Sequence, residues 1–125
     1  MKHVAWALVS LLGLAACSSG SILTRADNAR LNASFACWSF ALVFPRTREK
    51  KITFTSQQRA DQVSQAMVGR ARQAAVEDKK WDAELRVVAA LAGSLPHGKA
   101  AVAAAVANVR KVCDPLLNTA NGVSP

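Results

Sequence analysis

The sequence predicts a mainly α protein in which a long helix and a shorter one fold back as an antiparallel hairpin. Three observations carry this. Val63, Met67, Ala74, Trp81, Leu85, Val88 and Ala92 fall on one narrow face at a period of 3.6. Gly93-Ser94-Leu95-Pro96-His97-Gly98 then gathers the residue types that stop a helix and turn a chain. Beyond it, Val102, Val106, Val109 and Cys113 again share one face.

At the start, Met1-Lys2-His3 is followed by an apolar run from Val4 to Leu14 that only Ser10 and Gly13 interrupt. A basic start before a short apolar run has the form of an export signal, and the run is well below the ~20 residues a membrane span needs. It ends in Leu14-Ala15-Ala16-Cys17, after which Ser18-Ser19-Gly20-Ser21 is small and polar. These residues resemble the lipobox of bacterial lipoproteins; an ordinary secretory signal or a short buried helix is the competing reading. The resemblance covers the first 21 residues. It implies that residues 1–16 are a cleaved signal peptide and that Cys17 carries a diacylglyceryl group. Ser18, with no aspartate after the cysteine, implies passage to the periplasmic face of the outer membrane. Several acyl chains make such an anchor lasting where one does not.

The remaining elements follow in order. Residues 17–34 read as a lipidated N-terminus and linker, in which Thr24-Arg25-Ala26-Asp27-Asn28 suggests either a capped helical turn or more linker. A small helical domain is expected over residues 35–115. Its first segment, Phe35 to Phe44, sets bulky Trp38, Phe40, Leu42 and Phe44 on alternate positions, which argues for a strand with one buried face. A helical reading competes, because Leu31, Phe35, Trp38 and Leu42 also share a helix face. The basic stretch Pro45-Arg46-Thr47-Arg48-Glu49-Lys50-Lys51 and the alternating Ile52-Thr53-Phe54 leave room for a short β-hairpin. Thr55 with Gln58 three residues later has the form of a capping box. One helix from about Ser56 to Ala92 is the economical reading, since the apolar phase survives the cluster Glu77-Asp78-Lys79-Lys80. A second helix runs from Lys99 to Cys113, its alanines at 100, 101, 103, 104, 105 and 107 suited to close approach. Asp114-Pro115 should end it, leaving 116–125 as a flexible tail.

Composition bounds the function. The 125 residues carry 16 Lys and Arg against 8 Asp and Glu, a formal charge of +8. Removal of Lys2 with the signal leaves +7 on the 109 residues from Cys17. Such a balance suits anionic lipid headgroups, lipopolysaccharide phosphates or peptidoglycan carboxylates, with Arg46, Arg48, Lys50 and Lys51 as the contact residues. A solvated basic loop is the plainer alternative. Nucleic acid is not expected as a partner, because an exported, lipid-anchored chain rarely meets it and no interleaved aromatics offer stacking. With Cys17 given to lipid, Cys37 and Cys113 form an even pair, read as a disulfide in an oxidising compartment, with two separate buried thiols as the alternative.

No catalytic or metal site is expected. His97 alone remains after the signal, in a turn beside Pro96 and Gly98, so no serine or cysteine has a histidine partner and no ligand cluster forms. Glu77, Asp78, Asp82 and Glu84 could supply paired carboxylates, yet Lys79, Lys80 and Arg86 among them point to surface ion pairs. Trp81 reads as core despite its charged neighbours. No cofactor beyond the covalent lipid on Cys17 is implied. The role expected is a non-enzymatic lipoprotein acting on envelope components, an envelope protein among them. Lipobox, mature length and basic balance are also loosely similar to the outer-membrane spanin subunits of phage lysis cassettes, many of which are richer in proline than this chain with its four. A cell-wall-active accessory protein is a third class.

Overall fold

The structure is a computed structural model and describes residues 23–46 and 54–120. All regular structure among the described residues is helical. Helix α1 spans Arg25–Val43, α2 Ser56–Asp61, α3 Gly69–Glu77, α4 Asp82–Ser94 and α5 Lys99–Ala120. A π-helical stretch, Gln62–Val68, joins α2 to α3 without a break. Single 3₁₀ turns, Lys79–Trp81 and Leu95–His97, precede and follow α4.

Helix α1 begins inside the stretch expected as linker. Its start is set by a reciprocal cap: the Asp27 amide donates to Thr24 Oγ1 at 3.1 Å, and the Thr24 amide donates to the Asp27 carboxylate at 3.4 Å. The helix then runs through Phe35–Val43, so the strand reading of that segment is corrected to helix. Its buried face is Ala29, Ala33, Ala36, Cys37, Phe40 and Val43, while Trp38 and Leu42 are 38% and 49% exposed. Side-chain bulk misled the reading. Alanines define the inner face here, and they contribute little to any hydrophobic pattern. The other arm proposed for a β-hairpin, residues 52–53, lies outside the described residues.

The reciprocal cap expected at Thr55 is present, with the Gln58 amide donating to Thr55 Oγ1 at 3.1 Å and the Thr55 amide to Gln58 Oε1 at 3.0 Å. The helix it starts does not reach Ala92 unbroken. Asp78 is extended, at φ −152° and ψ 115°, and divides the segment in two. Its side chain accepts from the Lys80 amide at 3.1 Å, the short-range bond by which aspartate competes with helix. The apolar phase persists across the break, so periodicity alone does not reveal it.

Helix α1 packs along the π-helical stretch and α3, where Ala71, Ala74 and Ala75 meet it with little side-chain bulk. Helices α4 and α5 pack together as the expected hairpin, turned at Gly98, whose φ of 93° is the only positive one among the described residues. The face of α5 that enters the core is Ala105, Val106, Val109, Cys113 and Leu116. Ala100, Ala103, Ala104 and Ala107 are exposed, so they do not provide the close approach expected of them. Nor does Pro115 end the helix: it lies inside α5, and burial of Leu116 and partial burial of Leu117 hold the chain on its helical course through the next turn. One core therefore joins α1, the π-helical stretch, α3, α4 and α5, with Met67, Leu91, Val63, Val88 and Val109 fully buried in it, while α2 contributes no buried residue.

Candidate functional site

Cys37 on α1 and Cys113 on α5 are both fully buried, and their sulfurs stand at disulfide distance, 2.07 Å, with Cα atoms 5.3 Å apart. This tie joins the first described helix to the last. Just beyond it, the C-terminal end of α1 meets α5 and the α4–α5 turn, and two clefts open on either side of Phe44.

The first cleft encloses about 510 Å³ and is lined by Phe40, Phe44, Pro45, Arg46, Arg110, Asp114 and Leu117, among others. Phe40 and Phe44 stack with centroids 5.6 Å apart. Arg46 pairs with Asp114 across the mouth, and Arg110 donates to the Phe44 carbonyl at 3.4 Å. The second cleft, about 410 Å³, lies between Phe44, Ser56, Arg59, Leu95, Lys99 and Val102. Here the Arg59 guanidinium stands 5.8 Å from the centre of the Phe44 ring. The two together give an apolar floor with cationic edges. That chemistry accepts anionic or amphipathic groups. It offers no nucleophile with a base beside it.

Of the four basic residues expected to meet an anionic surface, Arg46 is exposed and already engaged by Asp114, so an outside anion competes with that carboxylate. Arg48, Lys50 and Lys51 lie outside the described residues, as does Cys17. His97 is exposed in its 3₁₀ turn. Among the described residues no three His, Cys, Asp or Glu side chains gather as a metal site would require, and no helix is long and apolar enough to cross a membrane.

The acidic cluster departs most from expectation. Asp78 makes a 3.8 Å ion pair with Lys80, and Glu77 Oε1 instead accepts from Asn28 at 3.0 Å and Gln73 at 2.8 Å. Glu84 is not a surface residue at all. It is 1% exposed, and neither carboxyl oxygen has a hydrogen-bond partner. Burial pushes its pKa from 4.5 up to about 8, so the side chain is a neutral acid at pH 7. Trp81 is partly buried, with Lys80 5.2 Å from its ring and its indole N–H unpartnered. The signal for Glu84 was present in the spacing: it falls three residues after Trp81 and four before Val88, on the apolar stripe itself.

The chain was compared with protein-family models, with curated proteins and with solved structures, and matches none of them.

Proposed function

We propose that this chain is a non-enzymatic lipoprotein, anchored through Cys17 at the periplasmic face of the outer membrane, that acts by contact with envelope components. The observation that carries the reading is Leu14-Ala15-Ala16-Cys17 at the end of a short apolar run behind a basic start. Two further observations support it. A buried cysteine pair at bonding distance suits an oxidising compartment. The cationic edges around Phe44 suit the anionic lipid, lipopolysaccharide or peptidoglycan such a protein would meet.

The test is lipid labelling in a bacterial host. Wild-type chain incorporates radiolabelled palmitate and is shortened by the signal peptide, whereas Cys17→Ser takes up no label and keeps its full length. Label entering the serine variant overturns the reading. A second reading, an outer-membrane spanin subunit, draws on the same lipobox with the small mature length and basic balance; endolysin and inner-membrane spanin genes beside this one would favour it.

A further inference from the structure

Helix α1 is apolar on two opposite sides. Its inner face, built on Ala29, Ala33, Ala36, Phe40 and Val43, fills the core, while Leu31, Phe35, Trp38 and Leu42 form a second stripe at spacings of four, three and four. At 100° per residue that stripe falls back to back with the inner one. Leu31 is 38% exposed, Trp38 38% and Leu42 49%. Phe35 and Trp38 meet edge to face with centroids 5.3 Å apart. A helix apolar on two sides needs cover on both, and the described residues cover one.

We propose that this outer stripe lies on the lipid surface that holds Cys17, as a second and non-covalent contact. The proposal rests on the lipoprotein reading above and adds to it the face that the protein turns toward the bilayer.

Three arguments select lipid as the occupant. The seven residues between the anchor and Arg25 give eight backbone steps, a reach of at most about 28 Å, so α1 is the helix kept nearest the surface. A contact made under such a tether works at high effective concentration and can be intrinsically weak. The charges agree as well. Arg30 is exposed on α1, and the Arg70 guanidinium, which donates to Asn32 at 3.1 Å, stands 5.2 Å from the Phe35 ring. The one acid on α1, Asp27, is turned to the cap at Thr24, and Glu77, which meets α1 at Asn28, accepts from Asn28 and Gln73. Tryptophan with basic neighbours is the pairing favoured at the boundary between headgroups and acyl chains. Area argues against a second copy of the chain: four partly exposed side chains offer far less than the ~800 Å² per partner of a stable interface.

The experiment uses the full mature lipoprotein, purified from bacterial membranes as the Trp81→Phe variant so that Trp38 is its one tryptophan after signal removal. It is reconstituted in vesicles of phosphatidylcholine and phosphatidylglycerol, with or without bromine on the acyl chains. The expected result is quenching of Trp38 emission about twofold by brominated lipid, as for an indole held at the interface. Leu31→Asn with Leu42→Asn, both at exposed positions, should remove most of that quenching while the protein still floats with the vesicles. Floating protein whose Trp38 is unquenched overturns the inference and leaves the lipoprotein reading standing. Unquenched but blue-shifted emission that varies with the protein-to-lipid ratio would assign the stripe to a second copy; blue-shifted emission independent of that ratio would assign it to the chain's own remaining residues. Protein that does not float overturns both readings.

Discussion

Trp81 and Glu84 stand three residues apart where α4 begins, and the polar ends of both are buried without a partner. A close-packed interior rarely leaves such groups unmet, because each gives up its bonds to water with nothing in return. For Glu84 the consequence is a proton held well above the ordinary carboxyl range, to about pH 8.

That proton makes stability depend on pH. Below about pH 4.5 the folded and unfolded chains both carry it. Between there and about pH 8 only the folded chain does, so unfolding releases a proton and stability falls as pH rises. The slope is about 1.4 kcal/mol per pH unit and levels off once the folded carboxyl also ionises. Glu84→Leu should remove this dependence and be the more stable protein at pH 7, with an advantage that grows from pH 5 to pH 8. Urea denaturation of both proteins across that range checks it. Parallel curves would mean that Glu84 is ionised in the fold.

Much of this fold was legible from periodicity and local chemistry. Val63, Met67, Val88 and Val109 are buried where the 3.6-residue pattern puts them, and the Thr55 cap and the turn at Gly98 follow from residue type alone. What was not legible depends on competition between faces. Alanine is weakly hydrophobic, so the inner face of α1 left a fainter trace than bulky Trp38, Phe40, Leu42 and Phe44, whose alternation suggested a strand. Pro115 reads locally as a stop, yet burial of Leu116 outweighs it. Glu84 lay on the stripe in the sequence, but its charge placed it at the surface until the packing was known.

The Cys37–Cys113 tie closes a separation of 76 residues across the core. Chain-entropy estimates for a loop of that length give about 4 kcal/mol of stabilisation, most of it through restriction of the unfolded chain. That is a large share of the net stability of a domain this size. A Cys37→Ala, Cys113→Ala double variant should therefore unfold at much lower urea than wild type. A non-reduced digest of periplasmically made protein should contain the cross-linked peptide. Two thiols free to alkylate after denaturation would return both residues to the role of small core side chains.

Gly98 offers a test of backbone conformation in isolation. A Cβ added there meets nothing within 4 Å, so space does not resist substitution. The φ of 93° does, because side-chain-bearing residues rarely adopt it. Gly98→Ala should cost about 1 kcal/mol, visible as a lowered midpoint with an unchanged urea slope. A changed slope would mean that the α4–α5 turn itself had rearranged.

The pairing of Arg46 with Asp114 sets up an opposite expectation for binding. Arg46 is largely exposed and Asp114 partly so, and such pairs contribute less than about 1 kcal/mol to folding, so Asp114→Asn should leave stability nearly unchanged. The same substitution frees a guanidinium at the mouth of the larger cleft and adds one unit of positive charge to a face that already holds Arg110. Contact of this face with phosphatidylglycerol headgroups should then tighten in the tethered protein, and its loss with added salt should steepen, because exposed charges are screened within about 10 Å at 0.1 M salt. The comparison uses tethered protein with the lipid anchor present in both variants, scored by protection of Arg46 from modification by a guanidinium reagent. Greater protection on acidic vesicles than on neutral ones, and more in Asp114→Asn than in wild type, is the expected order. Equal protection on the two kinds of vesicle would show that Arg46 faces water and that Asp114 is its lasting partner.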